Sequence, residues 1–242
     1  MQSIKKILWL IKSKSSFNVI FFFVLQKLKN IFLKNKIKKF KREHQNFISQ
    51  KKITSDFFSA HAFFFYDIAS KIKNDFKFLE IGSYEGNSAI FMAKNFNRNK
   101  IVCVDYWEQT NEYKKMDFNS IEKNFDFNTQ NFHNIKKIKN TSDNFFKGNN
   151  DFFDMIYIDG HHHGDQVYKD CKNSWKILNK DGFMICDDFI WPFYDNIEEN
   201  PCYAINKFLS EIRNEFKIIR VSNSQIFMQK MVRPEGLEPS TS

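Results

Sequence analysis

The stretch LEIGSYEGNSAIFMA, residues 79–93, decides the fold class. An apolar run that is typical of a buried strand stops at Gly82, and a run with helical spacing begins at Asn87. Gly82 and Gly86 allow the backbone to turn sharply between the two and to approach a ligand closely. Asn87 or Ser88 can cap the new helix. The stretch therefore predicts a strand, a tight glycine turn and a helix.

Strand and helix patterns alternate along the rest of the chain. The strand patterns cover residues 77–82, 100–107, 135–138, 154–159, 183–188, 217–222 and 224–230. The helical patterns cover residues 56–73, 87–95, 121–132, 165–178 and 203–216. This order predicts an α/β fold with a doubly wound, Rossmann-like sheet of seven mostly parallel strands. The last strand must be antiparallel because only a tight turn at Asn223 precedes it.

The two ends of the chain differ from this body in composition. Residues 1–44 hold twelve Lys and Arg and one acid, whereas residues 45–242 hold 25 basic and 27 acidic residues. A nearly neutral body lacks the basic patch of nucleic-acid-binding domains, so we expect no nucleic-acid partner. After Lys230 the chain follows no strand or helix period. We expect a basic helical arm over residues 1–50, a catalytic domain over 51–230 and a disordered tail over 231–242.

The basic arm contains an amphipathic helix pattern. Between residues 17 and 33 apolar residues recur at helical spacing with lysines between them. The uninterrupted apolar run, residues 19–25, is far shorter than the roughly 20 residues that a membrane span needs. Two interpretations are open. The helix lies on an anionic membrane surface, here the inner face of the membrane, or it packs on the catalytic body or a second subunit of an oligomer.

Four cysteines indicate the compartment. Cys103, Cys171, Cys186 and Cys202 lie far apart and include no C-x-x-C pair. Two of them stand inside apolar runs, where cysteine behaves as a small core residue. We therefore expect free thiols in a reducing environment, and hence a cytoplasmic protein.

Polar side chains stand at the carboxyl ends of the predicted strands, where open α/β sheets bind their ligands. They are Glu80 and Gly82, Asp105, Ser142 and Asp143, Asp159, and Asp187 and Asp188. Each has a structural interpretation, since aspartate caps helices and starts turns. Five such positions on one rim favour a ligand site instead. Asp105 follows Gly82 by 23 residues, a distance at which an acid accepts hydrogen bonds from a ribose.

The glycine turn distinguishes between cofactors. Gly82 and Gly86 lack the central glycine of a dinucleotide G-x-G-x-x-G turn, and Glu80 would place negative charge beside a phosphate. A cofactor with a cationic amine and no phosphate, such as S-adenosylmethionine, suits that acid better. A NAD-dependent oxidoreductase or epimerase is the alternative, although no Tyr-x-x-x-Lys pair follows the fourth strand in the expected place.

These motifs together resemble the class I S-adenosylmethionine-dependent methyltransferases. E-I-G-S-Y-E-G-N-S, Asp105, I-D-G-x-H and the late D-D resemble most closely the D-G-x-H branch, methyltransferase family 24, which includes sugar and small-molecule O-methyltransferases. The resemblance covers about residues 55–230. It implies that Glu80, Gly82, Ser83, Tyr84 and Gly86 line the methionine and ribose portion of the cofactor. It further implies that Asp105 binds the ribose, that Ser142 and Asp143 approach the adenine, and that Asp159 lies near the sulfonium. Tyr84 departs from the pattern, because many members have a second glycine there.

The three histidines at 161–163 follow the fourth strand directly. Methyl transfer to a hydroxyl needs alignment and removal of the hydroxyl proton. His162 occupies the histidine position of D-G-x-H and, next to Asp159, can take that proton near neutral pH. Asp159, Asp187 and Asp188 offer the hard oxygen ligands that Mg²⁺ prefers. The alternative is that the late aspartates cap the following loop and that the flanking histidines are solvated.

The loop at residues 189–196 offers Trp191, Phe193 and Tyr194 as walls for an acceptor. The function predicted is O-methylation of a hydroxyl on a sugar, a glycan or another small molecule. A non-catalytic adaptor that keeps the fold would not need Asp159 and Asp188.

Overall fold

A computed structural model describes residues 2–72, 75–110 and 116–231. The predicted tail lies outside the described residues apart from Met231. Lys73, the predicted end of the first body helix, also lies outside them.

Seven strands form one sheet in the order β3-β2-β1-β4-β5-β7-β6. The strands are β1 (Lys77–Ile81), β2 (Lys100–Asp105), β3 (Ile135–Lys139), β4 (Phe153–Ile158), β5 (Leu178–Cys186), β6 (Phe216–Val221) and β7 (Ile226–Lys230). β7 pairs antiparallel with both β5 and β6, and β1 to β5 pair in parallel. The predicted doubly wound sheet with an antiparallel last strand is confirmed. Its last strand is inserted between the fifth and the sixth rather than added at the edge.

Eight α-helices occur in the described ranges, with a short 3₁₀ helix at Ile197–Glu199. The helices are α1 (Gln2–Lys12), α2 (Phe17–Ile48), α3 (Ala62–Ala69), α4 (Asn87–Asn95), α5 (Phe118–Thr129), α6 (Ser142–Gly148), α7 (Gly164–Ile177) and α8 (Pro201–Glu211). Apolar residues of α3, α4 and α5 pack on one face of the sheet, and those of α6, α7 and α8 pack on the other. All four cysteines are buried free thiols in these layers.

The helix boundaries differ from the predicted ones for identifiable reasons. α4 agrees at both ends. α3 begins six residues later than predicted, because the Asp56 carboxylate accepts a 2.9 Å hydrogen bond from the Ser59 amide and closes a turn first. α8 ends at Glu211 rather than at Phe216, where β6 already begins. The sequence predicted a helical arm over residues 1–50 without a separate α1, and it did not predict α6.

The arm folds as α1 and a long α2, whose N-cap residue is Ser16; the Ser16 side chain accepts a hydrogen bond from the amide of Val19. The first half of α2 packs on the α7–α8 side through Val19 and Phe23. Its second half packs on the α3–α4 side through Leu33, Ile37 and Phe40. α2 therefore crosses from one layer to the other beside β6, with which it is in contact. Over the described ranges, each helix is too short or too polar to span a bilayer.

Candidate active site

The loop between β1 and α4 depends on two glycines. Gly82 has a φ of +87° and Gly86 a φ of +79°, in the left-handed region that favours glycine. A Cβ on Gly82 would lie 2.0 Å from the backbone oxygen of Asp159, so only glycine allows this approach. Gly86 is the N-cap residue of α4. The loop thus brings the ends of β1 and β4 into direct contact.

Asp105, at the end of β2, holds the same loop by its backbone. Its Oδ2 accepts 2.8 Å hydrogen bonds from the amides of Ser83 and Tyr84, and its Oδ1 accepts one of 3.0 Å from Trp107. Desolvation raises the pKa of Asp105, and the amide donors oppose that shift because they stabilise the charged carboxylate. The residue predicted to bind a ribose is therefore also the anchor of the loop.

Tyr84 takes the conformation expected of a second glycine. Its φ is +47°, which costs a non-glycine residue about 1–2 kcal/mol. The indole Nε1 of Trp107 donates a 2.8 Å hydrogen bond to the backbone oxygen of Tyr84. The ring of Tyr84 packs edge-on against Phe57. These contacts hold the left-handed turn in place even though the position is a tyrosine.

Glu80 lies fully buried beneath the loop. Its Oε1 accepts a short hydrogen bond from the Ser88 hydroxyl. Within the described ranges its Oε2 makes no well-aligned hydrogen bond, although the Ser83 hydroxyl and the Cys103 thiol lie close enough to stabilise the charged carboxylate. Burial raises the pKa of Glu80 to about 7, and the Ser88 hydrogen bond opposes this rise. A cation near Oε2 would favour the charged carboxylate, so the buried acid fits a cofactor that carries a cationic amine.

Ser142 and Asp143 open α6 at the end of β3. The Nε2 atom of Gln166, on α7, lies 3.1–3.2 Å from side-chain oxygens of Ser142, Asp143 and Asp170. Burial raises the pKa of Asp170 to about 7. The sequence did not indicate Gln166 or Asp170, although their spacing of four places them on one helix face. A polar cluster therefore stands where the resemblance implies the adenine.

Asp159, His162 and Asp188 converge beyond the ends of β4 and β5. One ligand atom from each residue lies within 4.8 Å of the other two. His162 Nε2 is 2.7 Å from Asp188 Oδ2. Asp188 has a φ of +54°, which persists only where the surroundings impose it. Two carboxylates suit Mg²⁺ and an imidazole suits transition metals, so the set fits a divalent cation.

Asp187, also predicted as a metal ligand, points to different partners. Its Oδ2 accepts hydrogen bonds from the Tyr157 hydroxyl and, at 2.7 Å, from the Gln225 amide. The same hydroxyl lies 2.7 Å from Asp159 Oδ2. Burial and the charges of Asp187 and Asp188 raise the pKa of Asp159 well above its ordinary value. In the structure, His162 and not Asp187 is the third member of the cluster, and Asp187 orients its neighbours.

Aromatic side chains of the loop after β5 surround His162. Phe193 stacks on the imidazole with ring centroids 5.0 Å apart and planes 15° apart. Trp191 meets the same imidazole edge-on at 5.8 Å and is partly exposed. Tyr194 instead pairs with His163. Of the three predicted walls, two therefore lie against the candidate base.

Two residues that the sequence did not single out help to hold the loop between β1 and α4, which we call the cofactor loop. The Glu85 carboxylate accepts hydrogen bonds of 2.6 Å from the Thr54 amide and 2.8 Å from the Asn124 side chain. His44 Nε2, on α2, lies 2.6 Å from Oδ1 of Asn87, the first residue of α4. The only available signal was an acid placed inside the glycine turn. The arm thus reaches the cofactor loop.

The strand order, the glycine loop and the cluster at the strand ends define a class I methyltransferase fold. Residues 79–189 match the Methyltransf_24 family model, described as a methyltransferase domain. Residues 79–189 therefore match a methyltransferase domain, and the fold is the class I methyltransferase fold that the resemblance implied.

Proteins similar to this chain include one that is similar in sequence and two that are similar in fold. An uncharacterised protein, R132 of Acanthamoeba polyphaga mimivirus, is 25% identical over 149 residues. The match covers 58% of this chain and 62% of that protein. The SAH-bound methyltransferase PaMTH1 of Podospora anserina has a TM-score of 0.57 at 17% identity, over 84% of this chain and 96% of its own. The MycE methyltransferase of the mycinamycin biosynthetic pathway, in complex with Mg, SAH and mycinamycin VI, has a TM-score of 0.55 at 14% identity. That likeness covers 85% of this chain and 57% of MycE.

Proposed function

We propose that this protein transfers a methyl group from S-adenosylmethionine to a hydroxyl of a sugar, a glycan or another small molecule. The observation that carries the proposal is the convergence of Asp159, His162 and Asp188 beside the glycine loop. The SAH in PaMTH1 and the small-molecule complex of MycE support the choice of cofactor and of acceptor class.

The cofactor half of the site binds through the loop and the strand ends. When bound, S-adenosylmethionine would supply a methyl group on a sulfonium, whose sulfur leaves as a neutral thioether when an oxygen attacks the methyl carbon. Glu80 offers a carboxylate oxygen, and Ser83 a hydroxyl, to the cationic end. The backbone amides of Ser83, Tyr84 and Trp107 donate hydrogen bonds to the Asp105 carboxylate, and that of Tyr106 also stabilises its charged form. Because a carboxylate has about four acceptor positions, the loop already uses most of them, and a ribose hydroxyl would share an oxygen with these amides.

His162 removes the acceptor proton in this proposal. The 2.7 Å contact with Asp188 fixes the imidazole, and with Nε2–H as the donor there the role of proton acceptor falls to Nδ1. A divalent cation held by Asp159, His162 and Asp188 would lower the pKa of the acceptor hydroxyl and orient it. The two roles compete for the same nitrogen, since Nε2 either donates to Asp188 or binds the cation.

The aromatic walls favour a ring-shaped acceptor. Trp191 and Phe193 lie against His162, so a flat or chair-shaped ring packed on them would present a hydroxyl to the imidazole. A nucleotide sugar, a glycan and a catechol-like phenol all meet this description.

The first experiment separates binding from turnover. Titration calorimetry should show binding of S-adenosylmethionine and none of NAD, and a screen of nucleotide sugars, glycans and phenols should reveal methyl transfer. His162→Ala should lower turnover by about 10²- to 10⁴-fold while cofactor affinity stays unchanged. His133→Ala, an exposed histidine before β3, is the matched control. Full activity in His162→Ala would remove the histidine from the mechanism, and binding of NAD alone would overturn the proposal.

The second experiment decides between the two roles of Nε2. If a cation takes part, EDTA should abolish activity, added Mg²⁺ or Mn²⁺ should restore it, and Asp188→Asn should prevent that rescue. If Asp188 only orients the imidazole, activity should resist EDTA, and Asp188→Asn should still lower kcat because it favours the wrong tautomer.

A further inference from the structure

The N-terminal arm has two different apolar faces. Val19 and Phe23 are buried against the body. Phe17 and Phe32, by contrast, are 80% and 87% exposed. They belong to a set of exposed large apolar side chains that we call the outer stripe: Ile4, Leu8, Ile11, Phe17, Phe21, Val24, Leu28, Ile31 and Phe32. Packing on the body therefore leaves a second apolar surface uncovered.

The outer stripe is continuous and basic at its margins. From Phe17 to Ile31 the positions on α2 follow one another by three or four residues, with Phe32 next to Ile31, so they form one line along the helix. Those on α1 also follow one another by three or four residues. Exposed lysines flank them: Lys5, Lys12, Lys29, Lys34, Lys36, Lys38, Lys39 and Lys41. Glu43 is the only acid in the sequence from 1 to 44.

We propose that the outer stripe docks on an anionic membrane surface, with α1 and α2 lying in the plane of the interface. The apolar side chains enter the boundary between headgroups and acyl chains, and the lysines contact the anionic headgroups. The helices lie on the bilayer and do not cross it.

Charge favours lipid over a second copy of the chain. Residues 1–44 carry twelve basic residues and one acid, so pairing two outer stripes would bring two strongly positive arms together. An anionic lipid surface has the opposite sign and gains from each exposed lysine. The nearly neutral body adds no competing charge.

The docked arm also places the candidate site close to lipid. Lys6 Nζ donates a 3.1 Å hydrogen bond to the backbone oxygen of Asn223, in the turn between β6 and β7. Gln225 of the same turn donates to Asp187 at the site. On the proposed function, an acceptor attached to or dissolved in the bilayer would be methylated at its surface. That step alone rests on the proposed function, whereas docking does not.

Vesicle sedimentation with the full chain tests the docking. The protein should sediment with phosphatidylcholine vesicles that contain about 30% phosphatidylserine, and not with phosphatidylcholine alone. Salt at about 0.5 M should release part of it. Phe17→Ser with Phe32→Ser should weaken binding by at least about tenfold, because two exposed aromatic anchors are lost. Lys29→Glu with Lys36→Glu should weaken it by a similar factor.

Matched variants control for residue type. Phe152→Ser removes an exposed phenylalanine before β4, and Lys180→Glu reverses an exposed lysine of the body. Both should bind vesicles like the unchanged protein, and all variants should keep their Tm and their binding of S-adenosylmethionine. Absence of sedimentation with anionic vesicles at low ionic strength would overturn the proposal. A lipid-free dimer that Phe17→Ser with Phe32→Ser dissociates, without vesicle binding, would assign the stripe to a second copy.

Discussion

The loop after β1 and the turns after β4 and β5 lie along the same rim, but different forces hold them. In the cofactor half, the Asp105 carboxylate binds backbone amides, and two glycines set the path of the chain. In the acceptor half, beyond the ends of β4 and β5, ligand atoms of the Asp159, His162 and Asp188 side chains lie within 4.8 Å of one another, and His162 Nε2 is 2.7 Å from Asp188 Oδ2.

Substitutions in the two halves should therefore have different effects. Backbone geometry carries the cofactor half, so substitutions there should alter folding and cofactor affinity together. Side-chain chemistry carries the acceptor half, so substitutions there should alter turnover while the fold remains. The contact of Gly82 with the backbone of Asp159 is the point at which the two halves meet.

Gly82→Ala should damage both halves at once, because Gly82 lies where they meet. The new Cβ would meet the Asp159 backbone at 2.0 Å, and the φ of +87° is strained for alanine. We expect a loss of roughly 4 kcal/mol or more in the free energy of unfolding, measured by denaturant titration. Gly148→Ala, where a Cβ would meet nothing within 4 Å, is the control and should change stability by under about 1 kcal/mol. Similar losses in the two variants would remove the close approach as the cause.

Glu80→Gln should show how much the buried acid of the cofactor half lowers the free energy of unfolding. The folded pKa of Glu80 is about 7 against an ordinary 4.5, so the folded state holds its proton more tightly than the unfolded state. Stability should therefore fall as the pH rises from about 4.5 to about 7, by up to ~3 kcal/mol from this group. Glu80→Gln should flatten that part of the pH profile of unfolding.

Glu122→Gln controls for the sign of this effect. Hydrogen bonds from Lys137 and Lys139 lower the pKa of Glu122, so its contribution is present above its ordinary pKa and lost on acidification. An unchanged pH profile in Glu80→Gln would show that Glu80 does not titrate in this window.

Asp105→Ala should give the smallest of the three effects. The variant loses the carboxylate that holds two loop amides and that faces the predicted ribose. We expect S-adenosylmethionine binding to weaken by roughly 1.5–3 kcal/mol, the usual worth of hydrogen bonds to a charged group, measured by calorimetry. Asp143→Ala, at the adenine end, should cost less because its carboxylate holds no loop. Unchanged affinity in Asp105→Ala would separate the loop anchor from cofactor binding.

The sequence predicted most of the sheet, because strand and helix periods differ and connection length fixes strand direction. The antiparallel last strand followed from the tight turn at Asn223 alone. The beginning of α3 could not be predicted, because the Asp56 side chain closes a turn with Ser59 that the helical pattern does not contain. α1 was not separated from α2 within the predicted helical arm, although Ile4, Leu8 and Ile11 have helical spacing of their own.

For the candidate site, strand ends were predictable and pairings were not. The parallel sheet was enough to place Asp105, Asp159 and Asp188 on one rim. Which of two adjacent aspartates would turn towards His162 depends on the left-handed backbone at Asp188 and on Gln225, which comes from a distant turn. Such choices rest on tertiary contacts between residues far apart in the chain.

The path of α2 beside β6 has a consequence for any shortened form of this protein. Within the described ranges, β6 is an end strand of the sheet and pairs only with β7, so without a covering element its outer backbone groups would be open to a strand from another molecule. α2 packs against β6 and joins both core layers there. A chain shortened to the catalytic body would expose that strand and the apolar surface on which Phe23 packs. We expect such a chain to associate through the exposed strand edges. The arm thus protects against aggregation whether or not lipid is present.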